Sequence, residues 1–376
     1  MSEQTPVGAI TEHFSKLDDP RRENRWHLLM DMIVIAVCAV VCGADGWSDI
    51  ELFGQSKYDW FKQFLRLPHG IPSHDTFGRV FARLNGEQFQ ECFIEWVQAI
   101  QEVTEGQIVA IDGKKLRRSY DKTLGKKAIH MVSAWASENR LVLGQTKVDD
   151  KSNEIPAVPE LLSRLEITGC IVTADAMNCQ TKTAQTAIEK GADYVLEVKD
   201  NQKGMHIAIQ ELFAFAEEQA FTDCDYHKTV NKGHGRIETR ECWVTSAPDY
   251  LWYLPNLKNW SGLRSIAMIK TERRTDRKNT VEHRYFISSL EGGAQQILGA
   301  VRTHWEIENK VHWILDVIFQ EDYCRVRNGS AAQNLAVLRH FALNFLRQET
   351  TLRRGIKAKR LRAGWDHDYL FTILTG

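Results

Sequence analysis

Cysteine is present but unorganised. The eight cysteines of this 376-residue chain form no CxxC pair and no even framework. A disulfide-stapled secreted scaffold is thereby excluded, a structural zinc site is disfavoured, and a reducing cytoplasm is expected. Cys38 and Cys42 stand one helical turn apart, but inside an apolar run where packed core thiols are the natural reading. Charge of one sign is also lacking: 48 basic residues face 49 acidic ones, for a net charge of −1, so the whole molecule is no polycation. Long hydrophobic runs are missing too. The longest, Leu28–Gly43, is interrupted by Asp31 and falls short of the roughly 20 residues a membrane span needs. It suits a buried helix, and no membrane partner is expected. The opening MSEQTPVGAI has neither the basic start nor the apolar core of an export signal. No GxSxG nucleophile elbow, internal repeat or low-complexity tract occurs. With 43% hydrophobic and 10% aromatic residues, the chain has enough to bury a large core across two or three domains.

What the global charge hides, local charge shows. DGKKLRRSYDKTLGKK (112–127) carries seven Lys/Arg against two Asp. LRRGIKAKRLR (352–362) has no acid at all, and KTERRTDRK (270–278) is a third basic segment. Any one of them reads equally well as a solvated face. Three together point to a phosphate backbone as partner.

Residues 1–104 read as helical: a stretch from Asn24 or Arg25 to Val41, a second over Ser48–Leu65, a third opened by Pro72–Ser73, and a fourth over Gly86–Val103. The pattern then changes. QIVAIDG (107–113), HMVSAWAS (130–137) and RLVLGQTKV (140–148) are strands; NEIPAVPELLSRL (153–165) is a helix. CIVTADA (170–176) and DYVLEVKDN (193–201) are strands flanking the helix TKTAQTAIEKG (181–191). A β-β-β-α-β-α-β order predicts a mixed sheet, a meander followed by strands with helical crossovers. Residues 200–285 read as a mostly β insertion. One long helix is expected from Ala294 to Phe319, followed by a closing helix over 331–348 and a basic tail.

Two glutamates in that long helix, Glu306 and Glu308 of HWEIENKVHW, compete for a role. On an ideal helix Glu308 falls inside the apolar arc of Val301, Ile307, Val311, Leu315 and Phe319, whereas Glu306 falls opposite, in reach of Lys310. A core-facing carboxylate needs a cation or a proton. A salt bridge to an arginine is one answer; a metal site is the other. Asp112 and Asp175 each end a β-rich run, IVAID and IVTAD, and ligands bind at the carboxyl ends of such strands. Singly, each reads as a turn or cap. With Glu308 they make a three-carboxylate, all-oxygen set suited to Mg2+ or Mn2+; no Cys/His spacing supports zinc.

The motifs AIDGKKLRRS, TADAMNCQ, KGHGRIETR, RYFISSL and HWEIENKVHWILDVIFQED, in this order, resemble the H-repeat-associated (Rhs-linked) branch of the bacterial insertion-sequence transposases of the DDE, ribonuclease-H-like superfamily. The resemblance implies an α/β fold: a ribonuclease-H-like mixed-sheet core (105–199 and 286–322) interrupted by a β-rich insertion (200–285), after an N-terminal helical domain (1–104) and before a C-terminal helix and tail (323–376). It implies catalytic, metal-holding Asp112, Asp175 and Glu308, two Mg2+ or Mn2+ ions about 4 Å apart, and cleavage and strand transfer of DNA at inverted-repeat ends into a target, by a homodimer on paired ends. A ribonuclease-H-like nuclease that only cleaves, or an inactive DNA-binding remnant, are the alternatives. The family's helix pattern Tyr-x-x-Arg-Trp-x-Ile-Glu with a distal Lys is matched at Trp305, Ile307 and Glu308, but Val301, His304 and Leu315 replace Tyr, Arg and Lys. Expected DNA contacts are Lys114, Lys115, Arg117 and Arg118 directly after Asp112, the hairpin residues His234, Arg236 and Arg240, and His304 and His312. Asn178, Lys199, Asn201 and Asn309 lie beside the carboxylate elements and are candidates to support them from behind, although singly each reads more readily as a cap or turn residue.

Overall fold

IVAID forms a strand because its β-branched and small apolar residues can be buried on both sheet faces. Ile108–Lys115 (β1) is buried through Ile111 and opens only from Asp112 onward. This structure is a computed structural model that describes residues 8–22, 25–120, 127–148, 154–233, 235–276 and 278–375. His130–Ala136 (β2) and Leu141–Lys147 (β3) continue from β1 as an antiparallel meander. Ile171–Ala174 (β4) and Asp193–Val198 (β5) lie parallel to β1, reached through crossovers that carry the helices Ala157–Arg164 and Thr181–Glu189.

The β-rich stretch extends this same sheet. Asp225–Gly233 (β6), Arg236–Thr245 (β7), Ser265–Thr275 (β8) and Asn279–Ser288 (β9) are antiparallel neighbours, and β9 pairs with β5. Among the described residues the strand order is β3-β2-β1-β4-β5-β9-β8-β7-β6. Residues 200–285 were expected to be mostly β, yet Lys203–Glu218 is a helix. Its buried Met205, Ala208, Ile209, Phe213 and Ala216 follow helical spacing, but no side chain caps its start and KGMH gives no opening signal.

Alternate strand residues separate two cores, as the two-residue period of a strand requires. Ile108, Ile171 and Val195 join a small cluster with the helix Ala294–His304. Their neighbours Val109, Val172 and Leu196 join the main core, which holds the buried helix Leu29–Val41 and the closing helix Ala331–Gln348. Among the described residues no helix is long and apolar enough to cross a membrane. Asp31, the interruption in that apolar run, is buried and accepts a hydrogen bond from the Leu67 N–H at 2.9 Å.

The expected single helix over 294–319 is broken. It turns at Trp305, widens into a π-helical turn over Glu308–His312 and resumes over Trp313–Val317. Residues before the break pack in the small cluster; Ile307, Val311, Leu315 and Phe319 pack in the main core. The segment thus passes from one sheet face to the other at the carboxyl ends of β1 and β4, and the phase shift is how one chain segment serves both cores. The basic tail is likewise no loose patch. Ile356–Trp365 is helical, and its Lys359 and Arg360 are buried, Lys359 against Glu349 at 3.2 Å and Arg360 over the Phe319 ring at 4.1 Å.

Edge strand β3 is closed by a side chain. Buried Asn344 accepts from the Val142 N–H and donates to its carbonyl, both at 2.9 Å, as a neighbouring strand would. Asn344→Leu leaves two buried backbone groups unpaired, at about 1–3 kcal/mol each. The midpoint of urea unfolding should fall accordingly; an unchanged midpoint contradicts this role.

Candidate metal centre

The pairing of β1 with β4 builds the site. Ile111 is opposite Ala174 in parallel register, so the next residue along each segment, Asp112 within β1 and Asp175 just past β4, emerges side by side where the β1–β4 pairing ends. Asp112 accepts from the Gly113 N–H at 2.9 Å. Asp175 is held by Asn178, whose backbone and side-chain nitrogens both donate to its Oδ1, at 3.2 and 2.9 Å. A Cβ on Gly113 would lie 2.2 Å from Glu154 Oε2, so only glycine lets the Glu154 carboxylate rest against β1 beside Asp112.

The wide turn delivers the third acid. Glu308 Oε2 lies 3.1 Å from His312 Nδ1, which is 3.4 Å from Asp112 Oδ2. Ligand atoms of Asp112, Glu308 and His312 all fall within 4.8 Å of one another; Asp175 is outside that trio but lines the same cavity of about 680 Å³. The expectation of a core-facing Glu308 is overturned: its side chain is 59% exposed, whereas Asp112 is the more sheltered acid at 27%. Ideal-helix phase failed because the chain does not turn 100° per residue through 308–312. Burial pushes the Asp112 carboxyl up to about 7; the Gly113 N–H opposes this, and the carboxylates of Asp175, Glu308 and Glu154 add to it. The cluster is therefore short of positive charge. Among the groups within it only His312 could supply any, and burial drives its imidazole toward the neutral form, more than Glu308 restores.

Several expected DNA contacts lie elsewhere. Lys114 is mostly buried, with Nζ at 2.6 Å from Asp316 and 2.7 Å from Glu321, so it ties the acid-bearing helix to β1 and cannot grip a phosphate. His304 accepts or donates to Thr173 Oγ1 at 3.0 Å, and desolvation lowers it to about 4, which leaves a neutral ring and no cation to replace the family arginine. His312 is buried inside the acid cluster. Arg117 is exposed but pairs with Asp322 at 3.3 Å; Arg118 stacks 5.1 Å over Tyr323; Lys115 and Arg236 are exposed. Arg240 reaches the cavity wall but is bound to Glu238 at 2.5 Å. His234 lies outside the described residues.

The supporting residues divide. Asn178 holds Asp175 as expected, Asn201 donates to the Ala176 carbonyl at 2.5 Å, and Lys199 pairs with Glu197 at 3.0 Å; Asn309 is exposed and only touches Trp305. Sequence reading missed Glu197 and Arg284. They line the cavity from paired strands, joined at 2.7 Å. Burial raises Glu197, but Arg284 and Lys199 outweigh it and hold the carboxyl below its usual range. The signal was available, as an acid, Glu197, amid the apolar residues of DYVLEV and a lone arginine in HRYFIS.

A meander followed by two parallel strands, with acids at their carboxyl ends, is a ribonuclease-H-like core in an α/β protein. Residues 104–345 match the family described as Transposase DDE domain, and residues 11–97 match the one described as DDE_Tnp_1-associated. The chain belongs to this DDE transposase family. It is 39% identical to the H repeat-associated putative transposase YhhI of Escherichia coli K12 over 376 residues, covering 98% of each chain. It is 38% identical to the putative transposase YncI of Escherichia coli O157:H7, covering 98% of this chain and 95% of that one. Among solved structures, a piggyBac transposase synaptic complex with hairpin DNA aligns at a TM-score of 0.40 and 11% identity over 99% of this chain and 77% of its own, too distant to bear on the site.

Because Asp112 keeps its proton to about pH 7 in the folded chain but only to about 4 when unfolded, the folded state alone binds that proton between those values. Stability of the protein in chelator therefore falls as pH rises through this window. Asp112→Asn removes the slope and stabilises the protein at pH 8 relative to pH 4 by on the order of 2 kcal/mol, after discounting for partial exposure. Equal pH dependence of wild type and variant in urea titrations contradicts this.

Proposed function

We propose that the chain cuts DNA strands and joins them to new DNA, as the transposase of a bacterial insertion sequence, using divalent cations held by Asp112, Asp175 and Glu308. The observation that carries this reading is the β1–β4 register, with Asp112 set between Asp175 on one side and Glu308 on the other. The donor set fits such a cation. Carboxylate oxygens crowd together, burial and then the neighbouring carboxylates push Asp112 toward neutrality, and the groups within the cluster supply no counter-charge.

Bound there, a pair of Mg2+ or Mn2+ ions supplies charge that activates the attacking oxygen and stabilises the leaving one. The protein's part is position. The Gly113 N–H and Asn178 fix the orientation of Asp112 and Asp175, and the helix turn fixes Glu308. The same cavity is lined by Arg302 and exposed Trp305, suited to phosphodiester oxygens and a base face, while its Arg240 and Arg273 are paired with Glu238 and its Arg284 with Glu197.

A second cavity of about 970 Å³ supports DNA as the substrate. It lies between the helix His74–Arg83 and residues 320–331, and Arg79, Arg83 and Arg325 project there beside Trp47 and Tyr323. The N-terminal helices would hold an inverted-repeat end in it, with a homodimer pairing two ends before attack on target DNA.

With a DNA duplex carrying the element end, Mn2+ or Mg2+ supports cleavage and strand transfer by the wild type. Glu308→Gln, Asp112→Asn and Asp175→Asn each abolish both reactions, while Glu306→Gln keeps most of the activity. Cleavage without joined product would reduce the protein to a nuclease; full activity in Glu308→Gln would sink the site assignment.

A further inference from the structure

We propose that His312 is a direct ligand that makes one of the two cation positions a mixed nitrogen–oxygen site, formed by Asp112, Glu308 and His312, while the other, formed by Asp112 and Asp175, is all-oxygen. This rests on the metal-dependent reading above and adds to it an asymmetry between the two positions. It adds a nitrogen donor to the all-oxygen set expected from sequence.

The geometry is unusual for a structural histidine. His312 Nδ1 approaches two carboxylate oxygens of different residues, at 3.1 Å and 3.4 Å, from a ring only 4% exposed. Three acceptor-type atoms converging on one point repel unless something positive lies between them. Either a proton on Nδ1 bridges the two acids, or a cation takes the proton's place and accepts the ring lone pair. The far side of the ring leaves the second arrangement open. Nε2 is buried with no hydrogen-bond partner. Glu321, a charged neighbour of His312, also has its Oε1 without a hydrogen bond, engaged only in a 3.5 Å ion pair to Arg339. A ligating imidazole carries its proton on the nitrogen away from the metal and offers it to a carboxylate; Glu321 is the charged neighbour able to accept it, by closing onto an Nε2 to which it makes no hydrogen bond here.

The wide helical turn gives the arrangement its reach. Over Glu308–His312 it keeps both side chains on the same side of the helix and toward Asp112. An imidazole in the donor set favours borderline transition ions over Mg2+, which is held best by oxygen alone. The mixed position should therefore prefer Mn2+ or Co2+, while the all-oxygen position accepts Mg2+.

The test reads the ligand directly. The full chain is loaded with Mn2+ and its electron spin-echo modulation is recorded, unlabelled and with 15N-histidine. Nitrogen couplings of a directly bound imidazole are expected, shifted by the isotope, unchanged in Glu306→Gln and lost in His312→Ala and His312→Asn. In those variants Mn2+ affinity falls at least roughly 10-fold, and falls more than Mg2+ affinity does. If wild type binds Mn2+ and cuts DNA but shows no histidine nitrogen, the mixed site is wrong and the function stands. Nitrogen couplings that persist in both variants overturn it equally. If wild type neither binds Mn2+ nor cuts DNA, the functional reading fails with it.

Discussion

Two parallel strands whose pairing ends at Ile111 and Ala174 place two carboxylates next to each other, and the rest of the site follows from that constraint. Asp112 and Asp175 are consecutive with the paired Ile111 and Ala174, so no loop flexibility can separate them without unpairing the sheet. Burial, with the neighbouring like charges adding to it, destabilises the charged form there, and the raised Asp112 carboxyl records it. The fold keeps this tension instead of relieving it with an arginine. Such persistence is a mark of a site kept for a charged ligand.

The acid-bearing helix is held over this edge by buried charge. Lys114, two residues after Asp112, reaches Asp316 and Glu321, and Arg339 of the closing helix reaches Glu321 at 3.5 Å. Burial acts to raise Glu321, but Lys114 and Arg339 dominate and hold its carboxyl down at about 2. Buried ion pairs of this kind add little net stability over apolar packing but fix geometry, because each partner has one place to go. Here they fix the helix, and with it Glu308, relative to β1. One strand thus supplies both an acid of the site and the cation that aligns the element carrying the third acid.

The sheet core was legible in the sequence because its signals are local. Apolar runs of four or five residues ending in Asp predicted β1 and β4, and the helices between them predicted parallel pairing. The break in the Glu308 helix was not legible, since its cause is tertiary: residues before Trp305 and after Glu306 must reach cores on opposite faces of the sheet. The choice of Glu308 over Glu306 agreed with the placement beside Asp112, but the burial argument behind it did not hold. Basic patches misled for a related reason. Counting charges could not reveal that Lys114 pairs with acids some 200 residues away, or that Lys359 and Arg360 turn inward. The helix Lys203–Glu218 escaped because it begins without a cap, although its apolar spacing was in plain view.

The account depends on cations gathering at the carboxyl ends of β1 and β4. Crystals of the protein soaked in Mn2+ would locate them by anomalous scattering. The account predicts density bounded by Asp112 and Glu308, with a second peak about 4 Å away toward Asp175. It is contradicted if the acids diverge beyond about 10 Å or if Mn2+ settles only elsewhere on the surface.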